Sequence, residues 1–151
     1  MSATRLRLLR LMRRSGIKSC APSRWTPAFK RGDASIVGVL QHAPCIIVCA
    51  TVLGELLGGF AAGQRESTNR NELAQFLNVS RVKVVPSTAA TADLYALVYA
   101  ALRRKGQPIP TNDLWIAASS LEHGAALLTL DAHFQNIDGL RTGTRLEEFI
   151  P

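Results

Sequence analysis

Residues 1–32 of this 151-residue chain contain no aspartate or glutamate, yet they hold Arg5, Arg7, Arg10, Arg13, Arg14, Lys18, Arg24, Lys30 and Arg31. Residues 33–151 keep the other half of the 18 bases and all 11 acids, a net charge of −2. The formal +7 of the whole chain therefore belongs to an N-terminal arm, and the rest is close to neutral. Cysteine is scarce: Cys20, Cys45 and Cys49 are an odd set with no C-x-x-C pair. That excludes a disulfide framework and a zinc cluster, and fits a reducing, cytoplasmic setting with no structural metal. Long apolar runs are missing as well. Glu55 interrupts the longest candidate, well short of the ~18 residues of a membrane span, so no membrane partner is expected. The arm lacks the uninterrupted apolar stretch of a secretory signal. No repeat or low-complexity tract is present.

What remains has the make-up of one globular domain, 47% hydrophobic and 19% charged. Asp33 can cap a short helix through about Gln41. Cys45–Ala50 (CIIVCA) is a continuously apolar, β-branched run, the pattern of a strand covered on both faces. Thr51 offers a cap for a helix over 52–60 that frays at Gly58-Gly59, and 69–77 reads as a further amphipathic helix. A second strand is predicted over 82–86. Residues 88–105 repeat Ala92, Tyr95, Ala96, Tyr99 and Leu102 at helical spacing, with Gly106 placed to end the helix. Thr111 is a candidate cap for a helix over 112–123, closed by Gly124. Ala125–Leu130 (AALLTL) is a third buried strand, and a last one is expected near Leu140. Strands alternating with helices predict an α/β fold around a parallel sheet.

In such sheets ligands collect beyond the carboxyl ends of the strands. Three acids are predicted there: Glu55 in the helix after CIIVCA, Asp113 just past Thr111, and Asp131 directly after AALLTL. Carboxylates gathered at one sheet edge repel one another, and a divalent cation removes that penalty. Mg²⁺, with its demand for hard oxygen ligands, suits such a set. Each acid also has a structural reading. An acid in a first helical turn is favoured by the helix dipole, and Asp131 could simply cap the short segment after it. Pattern alone leaves the two readings balanced. His42, His123 and His133 have no His or Cys partner at ligand spacing, though His133 lies close enough to Asp131 to touch a substrate. Tyr95 and Trp115 read as core or dimer-interface aromatics.

Pro110–Phe134 (PTNDLWIAASSLEHGAALLTLDAHF) resembles the C-terminal half of a PIN domain, where an Asp opens a helix of the form D-x-x-I-A-A and another acid follows the next strand. Ile46–Leu56 (IIVCATVLGEL) is similar to that family's strand and Glu-bearing helix. The likeness spans roughly residues 28–140 and implies a three-layer α/β/α fold. It further implies an Mg²⁺- or Mn²⁺-dependent endoribonuclease of the VapC toxin type, forming a homodimer held by a cognate antitoxin protein. By position, Glu55, Asp113 and Asp131 match three of the family's four acidic positions, as catalytic and metal-binding residues. The fourth, an Asp ending the first strand, has no match: Pro22 stands where it is expected. Residues 1–27 thus read as an atypical basic segment and 28–151 as the PIN-like domain, with the first strand expected absent or distorted. Several accounts of the segment stay open: a shifted reading frame or wrong start, true divergence, a targeting presequence, or a basic helix on RNA phosphates. The last lacks an aromatic platform beside its charges. One acid short, the chain is expected to be weak or inactive. The alternative is an inactive PIN remnant that binds an antitoxin or itself, and apart from the resemblance a small α/β binding module also remains.

Overall fold

A computed structural model of the chain describes residues 18–20 and 34–149. The basic helix that is one of the open accounts of the N-terminal segment, over residues 1–14, and the Asp33 cap lie outside these. The elements run β1 (Lys18–Cys20), α1 (Ala34–His42), β2 (Cys45–Cys49), α2 (Ala50–Ala61), α3 (Glu66–Leu77), β3 (Val82–Val85), α4 (Ala89–Arg104), α5 (Thr111–Glu122), β4 (Ala126–Leu128) and β5 (Thr142–Gly143). Short 3₁₀ turns lie at Ala132–Asn136 and Leu146–Glu148. The strands form a five-stranded sheet in the order β3-β2-β1-β4-β5, parallel at every described pairing. Parallel neighbours require long crossovers, and the helices between strands supply them.

One expectation is corrected here: the first strand is not absent. Lys18–Cys20 takes the central slot, Lys18 opposite Cys45 and Cys20 opposite both Ile47 and Leu127. The slot between β2 and β4 offers two rows of backbone donors and acceptors, which any three-residue extended stretch can satisfy whatever its side chains. What stays missing is an acid at its end, since Cys20 is followed by Ala21 and Pro22.

Strand β2 is buried from Ile46 to Cys49, as its continuous apolar run predicts. Ile46, Val48, Leu127, Leu128, Val39 and Val52 lie in the core with Leu102, Ile116 and Phe134 from the flanking elements. At about 25 cal/mol per Å² of apolar surface, such side chains each contribute roughly 1.5–3 kcal/mol, which holds the helices to the sheet. Helix α5 packs on α4 and on strands β1 and β4, while α2 packs on β2, α3 and α5.

Helix ends differ from the sequence expectations in detail. Helix α2 starts at Ala50 behind Cys49, with no side-chain cap from Thr51, and continues through Gly58-Gly59 to Ala61. Helix α5 starts at Thr111 itself, behind Pro110, whose fixed φ of −56° leads directly into the first turn. Helix α3 begins three residues earlier than predicted, at Glu66, which pairs with Arg70 at 2.7 Å. Helix α4 lies one residue inside its predicted span at each end, and at its start Thr88 and Thr91 cap each other's backbone reciprocally. The stops at Gly106 (φ 68°) and Gly124 (φ 56°) follow from the left-handed conformation each adopts. Among the described residues no helix is long and apolar enough to cross a membrane.

Candidate metal centre

The three predicted acids arrive from three elements. Glu55 lies in the second turn of α2, beyond the carboxyl end of β2. Asp113 is the third residue of α5. Asp131 follows β4 by three residues, later than predicted because that strand is only Ala126–Leu128, and stands at the start of a 3₁₀ turn. The topology brings them to one rim. Asp113 and Asp131 are joined through His133: Nε2 lies 2.9 Å from Asp113 Oδ2 and Nδ1 lies 3.4 Å from Asp131 Oδ1. Glu55 is tied to the same helix start, its Oε1 accepting a 2.8 Å hydrogen bond from Asn112 Nδ2.

The electrostatics agree with this grouping. Burial pushes the Asp113 carboxyl above its ordinary range, the His133 hydrogen bond and charge oppose it, and the Asp131 and Glu55 carboxylates push it further up. Three carboxylates therefore share one field. The side chains of Asp113 and Asp131 are only 20% and 23% exposed, so water screens that repulsion incompletely.

The structural readings of these acids account for part of what is seen. Asp113 sits in a first turn, where the helix dipole favours it. Asp131 makes no side-chain cap hydrogen bond to its turn; instead its own backbone N–H donates to Thr129 Oγ1 at 3.0 Å. Glu55 fits a structural role least well, because its Oε2 is buried with no hydrogen-bond partner among the described residues. An unpaired buried carboxylate oxygen costs on the order of 1–3 kcal/mol, more when charged, so it marks a position where a ligand would be stabilised. A hard divalent cation fits this all-oxygen donor set. As the side chains stand, no three His, Cys, Asp or Glu groups among the described residues close on a single point, with the His133 ring lying between Asp113 and Asp131.

At the rim, the sequence reading misses Asn112 altogether and the contact of His133 with Asp113. Asn112 looked like the first residue of a helix, and nothing in its neighbours pointed to Glu55, 57 positions away. His133, read from the sequence only as a neighbour of Asp131 that could touch a substrate, is half-buried against both acids, its ring 4.9 Å from that of Phe134. The D-A-H spacing was its only signal. The tether of the following turn was also not foreseen: Lys105 Nζ donates to Asn136 O at 2.9 Å and to Asp138 Oδ1 at 2.6 Å. Tyr95 packs on Trp115 at 4.6 Å between ring centroids, which holds α4 against α5 behind the rim.

Comparison with known proteins gives the same outline. The model of the PIN domain family matches residues 28–140. Ribonuclease VapC4 of Mycobacterium tuberculosis is 35% identical over 85 residues, 56% of this chain and 65% of that protein. Ribonuclease VapC2 of Rickettsia felis is 31% identical over 84 residues, 56% of this chain and 61% of that protein. The matched region thus spans somewhat under two thirds of these relatives. Among solved structures, VapBC2 from Rickettsia felis, bound to a DNA fragment from their promoter, superposes with a TM-score of 0.71 at 23% identity, covering 84% of this chain and 98% of that one. VapBC-1 from nontypeable Haemophilus influenzae gives 0.71 at 24% identity, covering 85% and 97%. These likenesses establish a shared fold.

Proposed function

Because the chain belongs to the PIN domain family, we propose that it is a divalent-metal-dependent endoribonuclease of the VapC toxin type. RNA would be its substrate, a cognate antitoxin its partner and a homodimer its working form. The observation that carries this reading is the meeting of Glu55, Asp113 and Asp131 at one rim, with Glu55 Oε2 buried and unpartnered. The names of the relatives as ribonucleases support the choice of RNA.

Glu55, Asp113 and Asp131 would hold Mg²⁺ or Mn²⁺, which when bound supplies an activated water and stabilises charge on the phosphodiester. The chain's own groups prepare for this. Asn112 fixes one oxygen of Glu55. His133 keeps Asp113 and Asp131 at a set separation. Thr129 anchors the turn that carries Asp131, and Lys105 ties down its far end. Ligands held on rigid elements with locked rotamers lose little freedom on binding.

With no acid in residues 1–32, the set is one carboxylate short of the family's four, so activity is expected to be weak. That same absence favours a second reading, an inactive remnant retaining the dimer and antitoxin contacts. Two measurements separate them. Mn²⁺ titrated calorimetrically into the purified chain should bind, and Asp113→Asn should abolish the heat. Internally labelled RNA should be cut in the presence of Mn²⁺, and Asp131→Asn should stop the cutting. Binding with cutting selects the nuclease; no detectable binding removes the metal centre and leaves the remnant or a small binding module.

A further inference from the structure

We propose that Asn112 is the positioning residue of the metal centre: it clamps one oxygen of Glu55 so that the other is held, unpartnered, toward the rim. The inference rests on the metal-binding reading above and assigns a role to a residue outside the acidic set.

The geometry is specific. Asn112 Nδ2 donates to Glu55 Oε1 at 2.8 Å, joining the first turn of α5 to the second turn of α2. Glu55 Oε2 is buried and has no partner among the described residues. A glutamate side chain has three rotatable bonds, and without a clamp its carboxylate would turn the buried oxygen outward to water. The amide N–H removes that freedom by binding one oxygen, and as a neutral donor it leaves the charge for a cation. Asn112 is also the immediate neighbour of Asp113, so one helix turn sets both carboxylates together. A donor of this kind acts as the outer-shell partner of a metal ligand, orienting it before the ion arrives.

Removing such a partner typically weakens metal affinity by roughly 10–100-fold. The exposed setting of the Asn112 bond points to the lower end, about 10-fold. The test is Mn²⁺ titration, by calorimetry and by loss of the free-ion electron paramagnetic resonance signal, of the full chain and of Asn112→Ala, Asn112→Gln and Asp113→Asn. Melting temperatures are recorded in chelator. Asn112→Ala should lose about 10-fold in affinity with its metal-free melting temperature almost unchanged, and Asn112→Gln, which keeps the amide, should recover most of the loss. If the unaltered chain binds and Asn112→Ala binds within about twofold of it, the clamp has no role toward the metal. A fall in metal-free melting temperature alone would make Asn112 a structural tie and overturn the inference equally. Failure of the unaltered chain to bind would remove the metal centre itself, and the clamp with it.

Discussion

Asp113, a proposed metal ligand, sits where its own charge is disfavoured. Burial first, then the neighbouring Asp131 and Glu55, push its carboxyl above the ordinary range. A group whose folded pKa is raised contributes stability below its unfolded pKa, and that contribution is lost as the pH rises through the folded value. Without metal, the ionised form of Asp113 is therefore a cost to the fold. Replacing it by Asn should raise the melting temperature in chelator at pH 7 by roughly 2–4 °C, the equivalent of about 1 kcal/mol in a chain of this size. Differential scanning calorimetry on the two proteins checks this, and an unchanged or lower value would mean that His133 already offsets the repulsion. These acids were legible in the sequence because each follows a strand or opens a helix at a predicted sheet edge. The Asn112–Glu55 and His133–Asp113 contacts were not, since they join segments 57 and 20 positions apart whose meeting depends on the crossover geometry.

Two helix contacts carry predictions of their own. The Arg81 guanidinium, just before β3, donates to Leu40 O and Ala43 O at the carboxyl end of α1. It satisfies carbonyls the helix leaves unpaired and places a cation at the negative pole. Arg81→Ala should cost about 2 kcal/mol by urea unfolding, and Arg81→Lys, which loses the fork of donors, should recover only part. At the other helix pair, Glu122 of α5 accepts from the hydroxyls of Thr88 and Thr91 at the start of α4. These bonds hold its carboxyl below the ordinary range. Stability from a lowered carboxylate is present above its unfolded pKa and lost as the pH falls through the folded one. Wild type should thus melt above Glu122→Gln at neutral pH, with the gap closing in acid; a constant gap would point to packing instead. Neither tie could be read in advance, because each joins residues more than 30 positions apart. The elements themselves mostly could: β2 from its apolar run and α4 from its spacing and its Gly106 stop.

At the scale of the whole molecule, the proposed metal centre joins α2, α5 and the loop after β4, so cation binding should stabilise the fold. At 100 times its dissociation constant a ligand adds about 2.7 kcal/mol, and Mn²⁺ should raise the melting temperature by roughly 5–10 °C. Chelator should reverse the shift and Asp113→Asn should abolish it. A homodimer would run in light scattering at twice the 16.4 kDa of the chain.

By itself the sequence determined the α/β class and the order of strands and helices from residue 34 onward, because local periodicity and chain order carry those, and it marked Glu55, Asp113 and Asp131 as the acids nearest one sheet edge. It also determined that no acid precedes Asp33, which no folding can alter. Only the tertiary structure decided that Lys18–Cys20 takes the central slot of the sheet, since backbone pairing there is indifferent to side chains. It alone decided that Asn112 meets Glu55 and that His133 spans Asp113 and Asp131, because contacts between distant segments arise from packing and leave no trace in local pattern.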